Sequence, residues 1–338
     1  MNEGQSMDSD SNAPDPEDPL KFDRTRDADL HQAIKAHGFK VPRELLERSS
    51  WNIFSSGVRP FLYIGAAIGI CRLPVPIWAA LVFAFFPVLA AQRAFLTLVH
   101  DASHKLYSTD RRRNDLLANY FAAGYIGMLV RKYRKIHLAH HAANGSLDDP
   151  EFFGYEAVTR AGGWTKFVLS YAFGLQIAYL LGKYHVKQDE YLGKARVRSA
   201  SVDEHGRLEK ISIFVCQGVL LSTFALAGVW YLYGLWLYVA VSWAPLLSRL
   251  RFLAEHPGHG ELTMSTRGTW WERIYIAPYH FNFHLEHHLW PSMPPYNLPK
   301  AHALLHDSGF FAVRPDFLAP SFMTTLAQYG RKWTIDNA

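Results

Sequence analysis

The sequence predicts an all-α integral membrane protein, with about four transmembrane helices in two hairpins beneath a cytoplasmic helical cap that holds a histidine-rich metal site. Three observations carry this reading. Long apolar runs occur in a chain that is 49% hydrophobic and only 19% charged, against about a quarter charged for soluble domains. Basic residues favour one side of those runs: 17 of the 35 lysines and arginines fall between Lys105 and Lys210. Histidines cluster just beyond the ends of the runs, on that same side.

Residues 1–20 carry six carboxylates, three prolines and no lysine or arginine. A secretory leader has a positive start and an apolar centre, so this stretch is expected to be a disordered acidic tail on the cytoplasmic side. Residues 21–50 read as a soluble amphipathic helix ending near Ser49. Residues 51–310 form the membrane domain, and 311–338 a cytoplasmic C-terminal segment. The first apolar run, 59–74, reaches the ~20 residues of a membrane helix only if it begins near Trp51. The second, 74–99, is long enough, and its Arg93 is expected to snorkel or pair near one end. The run 211–247 is too long for one span and fits two, hinged near Tyr231–Gly234. Two runs of about 15 residues, 116–130 and 167–182, are too short to span and read as re-entrant, interfacial or buried helices.

The short connections within the two hairpins hold only Arg72 as a basic residue. The positive-inside rule therefore puts both termini and the 100–210 region in the cytoplasm, at an inner membrane if the source is bacterial. Cys71 and Cys216 both lie in apolar runs, which predicts two buried small hydrophobes and no disulfide framework. No basic stripe with interleaved aromatics speaks for nucleic acid.

The histidines carry the chemistry. "HDASH" supplies His100 and His104, "HLAHH" supplies His137, His140 and His141, and "HLEHH" supplies His284, His287 and His288. Spacings of i, i+3 and i+4 put neighbours on one helix face, so each box can aim two or three imidazoles at one spot. Imidazole suits Fe, Zn, Cu and Ni. Eight imidazoles exceed the four ligands of a tetrahedral zinc and fit two ions with positions left open for oxygen. His256 follows the last span and is expected as a ninth ligand. A zincin is excluded, since no HExxH occurs.

Other histidines are set apart. His280 lies four residues before His284 and is a candidate ligand or supporting residue. His259 follows Pro-Gly and reads as a turn residue. His302 and His306 read as structural, and His31, His37, His185 and His205 as surface residues. Carboxylates expected to hold the ligand rings are Asp101, Asp148, Asp149, Glu255 and Glu286. Arg111–Arg113 and "RKYRK" (131–135) are expected at anionic lipid head groups.

Three boxes of the form HxxxH, HxxHH and HxxHH on one face of paired spans resemble the membrane fatty acid desaturase family. "YHFNFHLEHHLWPSMPPYNLPKAH" is similar to its third-box region, and "DDPEFF" (148–153) to the sequence after its second box. The resemblance runs from about Arg59 to His306. It implies a non-haem di-iron site with O2 as cosubstrate. The implied ligands are His100, His104, His137, His140, His141, His256, His284, His287 and His288. Acyl-CoA desaturases place an asparagine four residues before the counterpart of His256; here that position is Phe252, with water, Glu255 or His280 left to fill the gap. "HPG" at His256 resembles a haem motif of cytochrome b5 without a surrounding haem domain. The electron donor, of ferredoxin or cytochrome b5 type, is therefore expected to be a separate protein.

The implied function is desaturation of a lipid or acyl substrate. One alternative is a hydroxylase or ketolase of a lipid or carotenoid on the same scaffold. A second, a metal-binding membrane transporter, would need polar residues lining a path through spans that hold few.

Overall fold

The computed structural model describes residues 34, 39–144, 149–151, 157–175, 206–257 and 263–328. The described residues are mostly helical, and three helices among them are long and apolar enough to cross a membrane by length and composition. The first, α1 (Ser50–Cys71), starts where the Ser49 hydroxyl accepts the Asn52 N–H. That early start gives 22 residues. At 1.5 Å per residue this is about 33 Å, enough for the hydrocarbon core. Its buried stripe is Ile64, Ala67 and Cys71, while Phe54 and Leu62 face outward.

The second span, α2 (Ile77–Ser103), packs along α1. Ala80, Ala84, Ala91 and Ala94 are wholly buried. Small side chains at this spacing let helix backbones approach closely where lipid gives no hydrophobic drive. With 27 residues α2 is longer than the ~20 that a hydrocarbon core requires, and its last turn carries His100. Arg93 neither snorkels nor pairs with a carboxylate. It is buried, donating to the carbonyls of Tyr275 (2.8 Å), Ile276 (2.6 Å) and Ala244 (3.4 Å) and to the Ser248 hydroxyl. These acceptors close the loose backbone where the cap meets the bundle.

The run 116–130 is not a span. It gives α3 (Arg111–Phe121) and a 3-10 turn, Ala123–Ile126. The turn is pressed into the bundle so tightly that a Cβ on Gly124 would lie 2.6 Å from the Cys216 sulfur and 2.7 Å from the Ser212 carbonyl oxygen. The Gln217 amide donates to the Gly124 and Tyr125 carbonyls, and the Trp236 indole to Tyr125. Buried backbone at membrane depth needs such partners. Helix α4 (Val130–Ala143) then crosses under the end of α2, and α5 (Trp164–Ala172) covers the start of the run 167–182.

The third span is α6 (Gly206–Leu226). Where a fourth was expected, the chain forms two shorter helices, α7 (Leu232–Val241) and α8 (Trp243–Glu255). They break at Ser242, whose φ of −125° and ψ of −83° leave the helical region. Cys71 and Cys216 are buried and unpaired, as expected.

The cap has its own core. Leu285, Leu289, Leu305, Phe310, Phe311 and Phe317 pack together around α9 (His284–Leu289) and α10 (Leu298–Asp307). A two-stranded parallel ribbon, β1 (Ser265–Thr266) with β2 (Leu318–Ala319), ties the C-terminal segment to the third box. Of the helix expected over 21–50, Ile34 is described and is helical, and 39–49 is extended apart from a 3-10 turn at Arg43–Leu46; residues 21–33 and 35–38 lie outside the described residues.

Candidate metal centre

Four segments bring nine imidazoles together. His100 rides on the last turn of α2 and His104 just past its end. His137, His140 and His141 lie on α4, His256 follows α8, and His284, His287 and His288 lie on α9. All are buried except His104 and His141, which are half-buried.

They form two groups. Ligand atoms of His100, His104, His137, His141 and His287 all lie within 4.8 Å of one another. Nε2–Nε2 distances are 2.8 Å from His104 to His137, 3.1 Å from His137 to His141 and 3.1 Å from His141 to His287. The second group contains His140, His256 and His288. His284 joins it, its Nε2 standing 2.9 Å from that of His256 and 3.0 Å from that of His288. His140 and His256 are 3.2 Å apart.

Each HxxHH box therefore splits. His137 and His141 serve one group and His140 the other; His284 and His288 serve the second and His287 the first. Helix geometry explains it. Position i+4 turns about 40° from i, whereas i+3 turns about 60° the opposite way. The i, i+4 pairs stay together and the middle histidine faces the neighbouring group.

These rings fit metal ions better than they fit each other. Burial first, then neighbouring imidazoles, pushes His104, His137, His284 and His287 well below the ordinary histidine range, so they are neutral. A neutral imidazole has one N–H and one lone pair. His140 pairs through Nδ1 with Asp149 at 2.9 Å, which turns the lone pair of its Nε2 toward His256. Converging lone pairs repel unless a cation lies between them. Two ligands at ~2.1 Å from one ion, at right angles, stand ~3.0 Å apart, the spacing seen here. Both ring nitrogens of His100 and Nδ1 of His284 are buried without a hydrogen-bond partner.

The supporting carboxylates behave differently from one another. Asp149 meets the expectation of a ring partner. Asp101 lies 3.7 Å from His100 Nδ1, too far for a hydrogen bond, and its Oδ1 has no partner. Glu286 holds no ligand ring. It accepts from the Ser265 hydroxyl and pairs at 2.6 Å with Nδ1 of His302, which stacks on Phe283. Glu286 thereby anchors the box helix to β1 and α10. Glu255 takes the Arg251 Nε–H at 2.6 Å on Oε1, while Oε2 lies 3.6 Å from His284 Nε2. Burial raises its carboxyl to about 7 against the pull of Arg251. His280 is exposed, with φ 67°, and joins neither group. Asp148 and His259 lie outside the described residues.

Sequence reasoning missed Arg134, one of the "RKYRK" cations assigned to lipid. It is buried, forks onto Asp115, and donates to the carbonyls of Ala102 (2.8 Å) and Ser103 (2.9 Å). It thus caps the end of α2 where His104 departs. The signal was present: Arg134, His137 and His141 are spaced i, i+3, i+7, which is one helix face. Tyr133, beside it, stacks on His137 with ring centres 5.5 Å apart.

A protein-family model described as fatty acid desaturase matches residues 72–312, most of the chain. The chain belongs to the fatty acid desaturase family. Three relatives illustrate what the chain is similar to. It is 26% identical to a dihydrorhizobitoxine desaturase of Bradyrhizobium elkanii, over 66% of this chain and 67% of that one. It is 24% identical to a β-carotene 4-ketolase of Protosiphon botryoides, over 66% of this chain and 51% of that one. It is 24% identical to a probable fatty acid desaturase of Sorghum bicolor, over 82% and 78% respectively. All three boxes, and His256, lie inside the matched segment.

Proposed function

We propose that this chain is an O2-dependent membrane oxidoreductase that holds two iron ions and introduces a C=C bond into a lipid acyl chain. The observation that carries this reading is the division of nine imidazoles into two adjacent groups. His100, His104, His137, His141 and His287 would hold one ion. His140, His256, His284 and His288 would hold the other. Bound iron would supply the oxidising power, drawn from O2 and two electrons, that an unactivated C–H bond demands. In balance, the –CH2–CH2– unit and O2, with two electrons and two protons, give –CH=CH– and two waters.

The protein's own part is placement. Asp149 fixes the tautomer of His140, and Arg134 with Asp115 fixes the corner that carries His104. Phe281, wholly buried, packs edge-on to His100 with centroids 4.3 Å apart and keeps water from that wall. The exposed apolar faces of α1 and α6 suit lipid, so the substrate can arrive from the bilayer. We further propose that α7 and α8 complete a four-span arrangement with termini and site on the cytoplasmic face. A separate ferredoxin or cytochrome b5 type protein would deliver the electrons.

The likeness to a carotenoid ketolase favours one second reading, oxygen insertion on the same scaffold. Position of the substrate against the ions separates the outcomes. The test is expression in a host of defined lipid content, with lipid profiling by mass spectrometry of wild type and His287→Ala. Loss of two hydrogens from a host acyl chain, absent in the variant, is the expected result. Gain of oxygen would favour the ketolase-type reading, and equal iron content in the two proteins would sink the ligand assignment.

A further inference from the structure

Resting on that reading, we infer that the carboxylate of Glu255 is itself a ligand of the second ion, alongside His140, His256, His284 and His288. The first group has five imidazoles and the second four, so the second is one donor short of its neighbour. Glu255 stands at that gap. The side from which it approaches is decisive. A carboxylate that merely orients a ligand ring reaches the nitrogen turned away from the ion, as Asp149 does at Nδ1 of His140. Glu255 instead comes to within 3.6 Å of Nε2 of His284, the nitrogen that converges with Nε2 of His256 and His288. That is an edge between two donors of one ion, not a contact behind a ring.

Local backbone makes the placement possible. Neighbours i and i+1 diverge on a helix. Helix α8 ends at Glu255, however, and His256 takes φ −128° and ψ 62°, outside the helical region. Both side chains can then turn to the same ion. Arg251, one turn back on α8, holds Oε1 at 2.6 Å and leaves Oε2 toward the imidazoles. Both residues are largely buried, so solvent does not compete for the carboxylate. Ligation of this kind gives the second centre a negative donor that the all-imidazole first centre lacks. The two ions then differ in charge environment and in affinity.

The test uses full-length protein in detergent or nanodiscs, loaded with 57Fe. Glu255→Gln keeps the shape and an acceptor for Arg251 but removes the charge. We expect a short chelator challenge to leave about two ions in wild type and about one in the variant, with loss of one Mössbauer doublet. Arg251→Gln should keep both ions. Equal metal loss in the two variants would make Glu255 a structural salt-bridge partner and overturn the inference. So would two ions and an unchanged spectrum in Glu255→Gln. A measurement on wild type needs no variant to fold: with 13C-labelled glutamate, the metal-loaded minus metal-free infrared spectrum should show a shifted carboxylate band. Absence of that band also overturns the inference. A wild type that holds no second ion would instead overturn the di-iron reading beneath it.

Discussion

Replacing Arg134 with methionine tests whether the corner below the first box is held by a buried ion pair. Arg134 is 4% exposed and Asp115 is 8% exposed. The pair is a fork, with Nη1 to Oδ2 at 2.8 Å and Nη2 to Oδ1. Methionine fills much of the space but strands the carboxylate, whose remaining partner is the Asn114 amide at 3.0 Å. Breaking one side of a buried pair costs about 3–5 kcal/mol. The Ser103 carbonyl also loses the donor at 2.9 Å, adding roughly 1–3 kcal/mol if no water replaces it. The total is a large share of the ~5–15 kcal/mol that holds a domain together. The assay is thermal unfolding in detergent, followed by tryptophan fluorescence, together with iron per chain. The variant should melt many degrees lower and lose metal from the group that contains His104. The double variant Arg134→Met, Asp115→Leu should recover part of the stability, because removing both charges leaves none stranded. A single variant as stable and as metal-rich as wild type would refute the reasoning.

Three further outcomes follow from the geometry. Gly124→Ala should destabilise the protein by about 1–3 kcal/mol through overpacking and so lower its melting temperature, because the new Cβ meets a backbone oxygen at 2.7 Å that cannot rotate away; an unchanged melt would show that the turn can shift. Asp149→Asn should weaken metal retention about 10–100-fold in chelator competition, since the amide can donate to Nδ1 of His140 and reverse its tautomer; wild-type retention would count against that role. Metal-free protein should lose stability in acid. His137 and His287 are held well below the ordinary 6.5 by burial, so the unfolded chain takes up protons that the folded chain refuses. Nothing is lost above that value, and stability falls as pH drops below it; a pH-independent melt between 8 and 5 would contradict the neutral assignment.

Legibility in the sequence followed the range of the forces involved. The spans of α1, α2 and α6 were readable because hydropathy is local and additive, and the box histidines because i, i+4 spacing survives on any helix. The short run at 116–130 was readable as too short; residues 176–182 of the run 167–182 lie outside the described residues. Arg93 and Arg134 were misjudged for one reason. A cation near an apolar run looks the same whether it meets lipid head groups or a ring of carbonyls from residues far away in sequence. Arg93 finds its acceptors more than 150 residues on, at Tyr275 and Ile276, and nothing in its own neighbourhood announces them. Glu286 was misassigned similarly: its place beside ligands suggested a ring partner, but on α9 it points the other way, to His302.

The split of the boxes shows where spacing stops carrying information. Three boxes invite the picture of one ligand set per box. The helical turn forbids it, because the middle histidine of each HxxHH lies about 100° from the last. Two helices that each present a pair on one side and a single ring on the other can build two adjacent groups only when set side by side. Then α4 gives two rings to the first group and one to the second, and α9 does the reverse. That gives three rings to each, and the remaining donors make the groups unequal: the end of α2 adds two rings to the first group, and the end of α8 adds His256 to the second. Losing α4 or α9 would thus empty part of both groups at once, whereas the ends of α2 and α8 each serve one. The two groups are therefore a single construction, and their separation depends on the relative rotation of α4 and α9. Arg134 at the base of α4 and Glu286 on α9 are the buried charges that fix that rotation.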